Sequence, residues 1–235
     1  MNSFDHHIIA FINQFSQQSW IFDNFIVFLS TASLLKGGVL VAIIWWAWFK
    51  GEKQDSHNRE HIITSLFSCI VAVVVARGVA LTLPFRFRPL HVDSLNFMLP
   101  IGMTKEILTG WSSFPSDHAV LFFALSTGLL FISRYAGTFA LCYTVLVISF
   151  PRVYLGLHYP TDIIAGAFIG IIIALLGNIY LVKNKYVKSI AAWPYVKPEF
   201  FYPAFFLLSY QIADLFDGSR DIAAWGFKLV KRILL

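Results

Sequence analysis

The sequence predicts an all-α fold: a polytopic membrane helical bundle of about six transmembrane helices, with an interfacial amphipathic helix at each end. Three observations carry this expectation. The 235 residues are 57% hydrophobic and only 13% charged, too apolar for a soluble domain of this length. Several uninterrupted apolar runs approach the length a bilayer crossing needs. The charged residues gather in the connections between those runs. Cys69 and Cys142 both lie inside apolar runs, which suggests packing and neither a disulfide framework nor a thiolate metal site. The net charge of +5 comes without a basic stripe, so nucleic acid is not an expected partner. No positive segment or small-residue cleavage pattern marks a removable signal peptide.

In chain order, Phe4, Ile8, Phe11, Ile12 and Phe15 fall at helical spacing, with Asp5, His6, Asn13 and Gln14 around them. Residues 1–18 therefore read as an amphipathic helix on the membrane, with His6 and His7 solvated. From Trp20 the chain is apolar but broken by Asp23, Lys36, Gly37 and Gly38, so Leu34 to Phe49 is the embedded part, with Trp45, Trp46 and Trp48 as an interfacial belt. Lys50 to Glu60 is a hydrophilic loop. His61 to Leu83 is long enough to span although it carries Arg77. Pro84 to Pro115 is the longest polar connection. Ala119 to Ser133, Gly137 to Phe150 and Ile163 to Val182 follow as spans, then a lysine-bearing loop, then Phe200 to Leu215. Ile222 to Leu235 carries Lys228, Lys231 and Arg232 on an apolar helix, and 218–235 is expected at the interface.

Alternating the spans puts Lys50, Lys53, Arg59, Arg134, Lys183, Lys185, Lys188 and Lys197 on one face. Arg86, Arg88, Lys105 and Arg152 fall on the other. The positive-inside bias assigns the first face to the cytoplasm, so the second faces away from it. An integral membrane location with this face on the non-cytoplasmic side is expected.

That second face gathers the chemistry. The stretch SFPRVYLGLHYPTD places Arg152, His158 and Asp162 at the mouth of an apolar segment, where charge is costly unless it meets a partner, a cavity or water. Pro160 suits the first position of a helix, which puts Asp162 in its first turn just after His158. A carboxylate there can grip the imidazole, fix its tautomer and raise the basicity of the other nitrogen. Two more loops reach the same depth, one with Arg86, Arg88 and Pro89, the other with Ser116 and His118. Arginine forks and a helix start near Ser116 make an anion site, while one histidine attacks and the other protonates a leaving oxygen. Tyr154, Tyr159 and Trp111 read as interface aromatics.

The three segments FRFRP, PSDH and PRVYLGLHYPTD resemble the signature of the type 2 phosphatidic acid phosphatase superfamily, from the second span to the start of the fifth. The resemblance implies that His158 is the nucleophile of a phosphohistidine, Asp162 its partner and His118 the acid for the leaving group. It implies that Arg88, Ser116 and Arg152 bind phosphate, and that neither a metal nor another cofactor takes part. On this reading 1–235 is a single integral membrane domain with 61–182 as its catalytic core. Its partners are membrane lipids and a lipid phosphate or diphosphate substrate, undecaprenyl diphosphate leading and phosphatidylglycerol phosphate or phosphatidic acid open.

The chain departs from that signature at three places: Leu81 stands for a lysine, Asp117 for a glycine and Pro151 for a serine. Asp117 is expected to turn its side chain away while its N–H faces the phosphate. Arg77, one turn before Leu81, is expected to replace the lysine, with Arg86 as its rival. Three alternatives stay open: a lipid phosphotransferase of the same fold, a transporter using Arg77, and a metallohydrolase built on His91, His118 and His158. Oligomeric state is not legible.

Overall fold

The computed structural model describes residues 2–50 and 56–220 together with 222, 225 and 226, and every regular element among them is helical. Helix α1 (Ser3–Asn13) starts at Asn2, whose side chain accepts from the Asp5 amide at 2.8 Å. Its apolar face is split: Phe4 and Phe11 face outward, while Ile9 packs on Val153 and Tyr159. Asp5, expected on the polar face, is instead fully buried. The cause is its set of partners, Thr161 at the head of α8 and Arg86, which satisfy it without water.

Helix α2 (Trp20–Thr31) is followed by a short break and a π-helical turn (Leu34–Gly38) that leads into α3 (Val39–Lys50). The two helical stretches are bent by 66°. At the bend Gly37 lies on the backbone of Ala213, so closely that a Cβ would overlap it. Helix α4 (Ser56–Thr82) is the longest, at 27 residues. A connection with two short 3-10 turns (Pro89–His91 and Asp93–Leu95) leads to α5 (Asp117–Leu130), whose side chains from Ala119 to Leu129 are all buried. Helix α6 (Arg134–Tyr143) runs through a π turn into α7 (Phe150–Tyr154). Helix α8 (Pro160–Leu176) begins at the proline, as the sequence predicts, and ends in another π turn.

The lysine-bearing loop after α8 is largely helical, a departure from the expected loop. Asn184 caps α9 (Lys185–Val196) through the Tyr186 amide at 2.9 Å, and its buried Ala191 and Pro194 give the segment an inner face. Helix α10 (Pro198–Ala213) follows, and Asp217–Arg220 are again helical. Most of the interfacial helix expected over 218–235 lies outside the described residues.

Three helical stretches, His57–Thr82, Arg134–Tyr154 and Pro160–Leu181, are long and apolar enough to cross a membrane. The bent pair Trp20–Thr31 and Leu34–Lys50 makes a fourth if it counts as one span, where six were expected. Helix α5 is apolar but has only 14 residues. It is the axis of the bundle, and α8 lies against it through Gly166 and Gly170. A Cβ on Gly170 would overlap the Val120 carbonyl, and one on Gly166 would sit 2.8 Å from the Ser116 oxygen. That contact fixes where the two helices begin, joined by the bond from the Ser116 amide to the Asp162 carbonyl at 3.2 Å. At the other end Arg59 stacks over Trp48 and Tyr195, gathering α3, α4 and α9.

Candidate active site

The start of α5, the end of α4, α7 with the turn after it, the bend between α2 and α3 and the stretch after α10 surround a cavity of about 540 Å³. That lies within the range of roughly 300–1,000 Å³ common for small-molecule sites. Arg88, His118, Arg152 and His158 line it, as do Arg77 and Asp117. Ser116 and Asp162 stand just behind the wall, fully buried. Arg86 is not part of the lining.

His158 owes its place to the turn after α7. The Leu157 and His158 amides both donate to the Arg152 carbonyl, at 2.9 and 3.1 Å, and Gly156 takes a φ of +67° that turns the chain back. A side chain at Gly156 would also meet the Phe97 ring at 2.7 Å. The imidazole Nδ1 lies 2.8 Å from the Ser113 carbonyl and Nε2 lies 3.2 Å from Arg88 Nη1. A carbonyl requires an N–H and a guanidinium requires a lone pair, so both partners select the same tautomer. Nε2 therefore carries the lone pair, which Arg88 meets at the cavity. Burial, reinforced by the Arg88 charge, holds the His158 pKa below the ordinary histidine value, while Asp162 works the other way.

Asp162 meets His158 at ion-pair range, its Oδ2 3.7 Å from Nδ1, too long for the direct hydrogen bond the sequence suggests. The carboxylate is already engaged by the Tyr159 amide at 2.8 Å, by the Ser113 hydroxyl and by Arg86. It acts on the imidazole through Ser113, whose hydroxyl it holds while the carbonyl of the same residue holds the ring. Arg86, expected as a possible phosphate ligand, instead joins Asp162 to Asp5 and lies 4.0 Å from the Tyr159 ring.

Arg152 donates from Nη2 to the Ser30 carbonyl at 2.9 Å and to His118 Nε2 at 2.7 Å, so in this arrangement the His118 proton is on Nδ1. Arg88 donates to the Leu157 carbonyl at 2.6 Å, and burial pushes its pKa down to about 10, which leaves it charged at neutral pH. The Nε groups of Arg77, Arg88 and Arg152 and the hydroxyl of Ser116 are buried and have no hydrogen-bond partner among the described residues. The guanidinium groups of Arg88 and Arg152, lining one cavity next to a helix start, make an anion-binding wall.

The Asp117 side chain does not turn away from the cavity. It pairs with Arg77 and lies 3.7 Å from Arg220, so two guanidinium groups neutralise the charge that departs from the signature. Arg77 also lies 5.6 Å from the Trp111 ring, and Trp111 lines the cavity. Tyr154 and Tyr159 are buried, and the Tyr154 hydroxyl donates to Asp23. Leu81 points outward, 86% exposed, and takes no part in the wall. Among the described residues, no three of His, Cys, Asp and Glu gather as a metal site, and the trio His91, His118 and His158 does not assemble.

Sequence reasoning missed Asp5, Ser113, Lys36 and Arg220. Asp5 carries a legible signal, since it shares a helix face with Ile9 four residues on, and a carboxylate on a buried stripe needs a partner. Nothing in the sequence marks Ser113.

Comparison with known proteins places these residues in a wider set. A family model described as the PAP2 superfamily matches residues 63–186. Undecaprenyl-diphosphatase BcrC of Bacillus subtilis is 26% identical over 172 residues, covering 73% of this chain and 81% of that protein. Lipid A 4'-phosphatase of Bacteroides thetaiotaomicron is 34% identical over 125 residues, covering 47% of this chain and 55% of that protein. Lipid A 1-diphosphate synthase of Escherichia coli is 33% identical over 152 residues, covering 61% of this chain and 59% of that protein. No solved structure matches.

Proposed function

The chain belongs to the PAP2 superfamily, and from that premise we propose that it is a membrane lipid phosphatase working through a phosphohistidine on His158. The observation that carries the mechanism is the His158 tautomer, with the lone pair on Nε2 in a cavity lined by Arg88 and Arg152. A phosphoryl group there meets Arg88 and Arg152 as planar charged donors and the start of α5 as a dipole. These groups neutralise the charge that develops on the equatorial oxygens, so the chemistry needs no cation beyond the side chains.

In the first step Arg88 turns from Nε2 to the phosphoryl oxygens, and Nε2 forms a bond to phosphorus while the bond to the leaving oxygen breaks. His118 supplies that oxygen with a proton, which requires Arg152 to turn from His118 to the phosphoryl group and the imidazole to become protonated. In the second step His118 takes a proton from water, whose oxygen attacks phosphorus and frees Nε2. Ser113 and Asp162 keep the His158 ring in one orientation throughout.

The substrate is a lipid phosphate or diphosphate, because Met103, Ile107, Leu108 and Trp111 give the same cavity an apolar side. Undecaprenyl diphosphate leads, in keeping with the name of the Bacillus relative. Counting α5 and α10 as short crossings gives six spans and puts the cavity at the end opposite Lys50, Arg134 and Lys183. The positive-inside rule then orients it away from the cytoplasm of a bacterial inner membrane. The resemblance to a diphosphate synthase favours one second reading, a phosphotransferase in which a lipid oxygen replaces water as acceptor. Purified protein given a panel of lipid phosphates and diphosphates, with His158→Ala as control, tests the proposal. Phosphate release that depends on His158 is expected; release that survives the substitution refutes it.

A further inference from the structure

We propose that Lys36 and Arg220 hold a second phosphoryl group, so that the cavity is built for a lipid diphosphate in which the terminal phosphate reacts. This rests on the lipid phosphatase reading and adds the residues that recognise the rest of the head group. Lys36 sits on the π turn at the bend between α2 and α3, 8% exposed, and lines the cavity. Among the described residues its ammonium has neither a hydrogen bond nor an ion pair. An amine that lines a cavity without a protein counter-ion is available to a substrate anion, whereas the other rim cations have partners: Arg77 pairs with Asp117, while Arg220 lies 3.2 Å from Asp217 and 3.7 Å from Asp117.

The cations divide into two groups. Arg88 and Arg152 lie deep, beside His158 and His118. Arg77 and Arg220 lie toward solvent, with side chains 27% and 32% exposed. His118 stands at the junction: it touches Arg152 of the deep group and directly follows Asp117, which joins the outer one. An acid at that junction faces the oxygen that would bridge two phosphoryl groups. Gly37 against Ala213 holds the Lys36 turn beside the end of α10, from which the chain runs on to Arg220.

Charge supports the same division. Lys36, Arg77, Arg88, Arg152 and Arg220 line the cavity with Asp117 and Asp217, an excess of three positive charges with the histidines neutral. A phosphate monoester carries at most about two negative charges near neutral pH, and a diphosphate carries about one more. With such a substrate, Nε2 of His158 bonds to the terminal phosphorus and the bridging P–O bond breaks. The electron pair stays on the bridging oxygen of a lipid monophosphate, which takes the His118 proton.

The test uses purified full-length protein and two lipids with the same polyprenyl chain, one a diphosphate and one a monophosphate. Lys36→Met keeps volume and removes a charge that has no protein partner, so it should be at least as thermally stable as the parent. We expect it to lower kcat/KM for the diphosphate about tenfold or more, the monophosphate changing less than about threefold, with Lys36→Arg restoring most of the loss. Equal losses on both lipids, or no loss on either, would overturn the second subsite. A parent protein active on the monophosphate alone would also overturn it and leave the phosphatase standing. A parent inactive on both would instead sink the lipid phosphatase reading.

Discussion

Arg86 tests the distinction between a group that binds substrate and one that positions the site. Its guanidinium lies between Asp5 and Asp162, whose side chains are fully buried. Replacing it with methionine keeps the stem and strands two carboxylates out of water. Removing one partner of a buried ion pair costs about 3–5 kcal/mol. At about 2–4 °C per kcal/mol for a chain of this size, the melting temperature should fall by about 6–20 °C. Thermal unfolding in detergent measures it, with kinetics alongside. Asp5→Asn in the Arg86→Met background removes one stranded charge and should recover several degrees. If Arg86→Met instead melts within about two degrees of the parent while KM rises about tenfold, Arg86 is a phosphate ligand and the scaffold account is wrong.

Four further outcomes are expected. Because the His158 pKa lies below the usual value of about 6.5, its neutral form persists as pH falls through that value, and the acid limb of kcat/KM should sit below it. The sign for stability is opposite: unfolding frees the imidazole to take a proton, so the His158 contribution destabilises the fold progressively from about pH 6.5 down to its folded pKa. Gly170→Ala should cost about 1–3 kcal/mol by pushing α8 off the Val120 carbonyl, read as a lower melting temperature. Arg77→Leu should lower kcat/KM by leaving Asp117 with Arg220 alone, and adding Asp117→Gly should restore activity; failure of that rescue would mean that Arg77 itself holds phosphate. Exhaustive chelation should leave turnover unchanged, and recovery by an added divalent ion after a collapse would contradict the arginine wall.

The helical class, the three long spans His57–Thr82, Arg134–Tyr154 and Pro160–Leu181, and the start of α8 at Pro160 were legible in the sequence, because apolar run length and proline chemistry are local. So was the gathering of Arg88, His118, Arg152 and His158, since three separate loops had to meet at one depth. The partner of His158 was not legible. Spacing alone put Asp162 on the ring, but the carbonyl that holds it belongs to Ser113, 45 residues earlier. The direction of Asp117 was misjudged for the same reason: a negative charge looks intolerable until Arg220 arrives from beyond α10. Asp5 read as one of the polar residues around the apolar stripe of a surface helix, and only the position of Thr161 and Arg86 shows that it is buried.

The most direct test is to catch the covalent intermediate. Purified protein is mixed with a polyprenyl diphosphate labelled at the terminal phosphorus, quenched in alkali within a turnover, digested, and the label located by mass spectrometry. Phosphohistidines survive alkali and are lost in acid, which separates them from phosphoserine and acyl phosphate. The account predicts label on Nε2 of His158, absent from His158→Gln. Label on another residue, or full turnover by His158→Gln with no labelled protein, would contradict it.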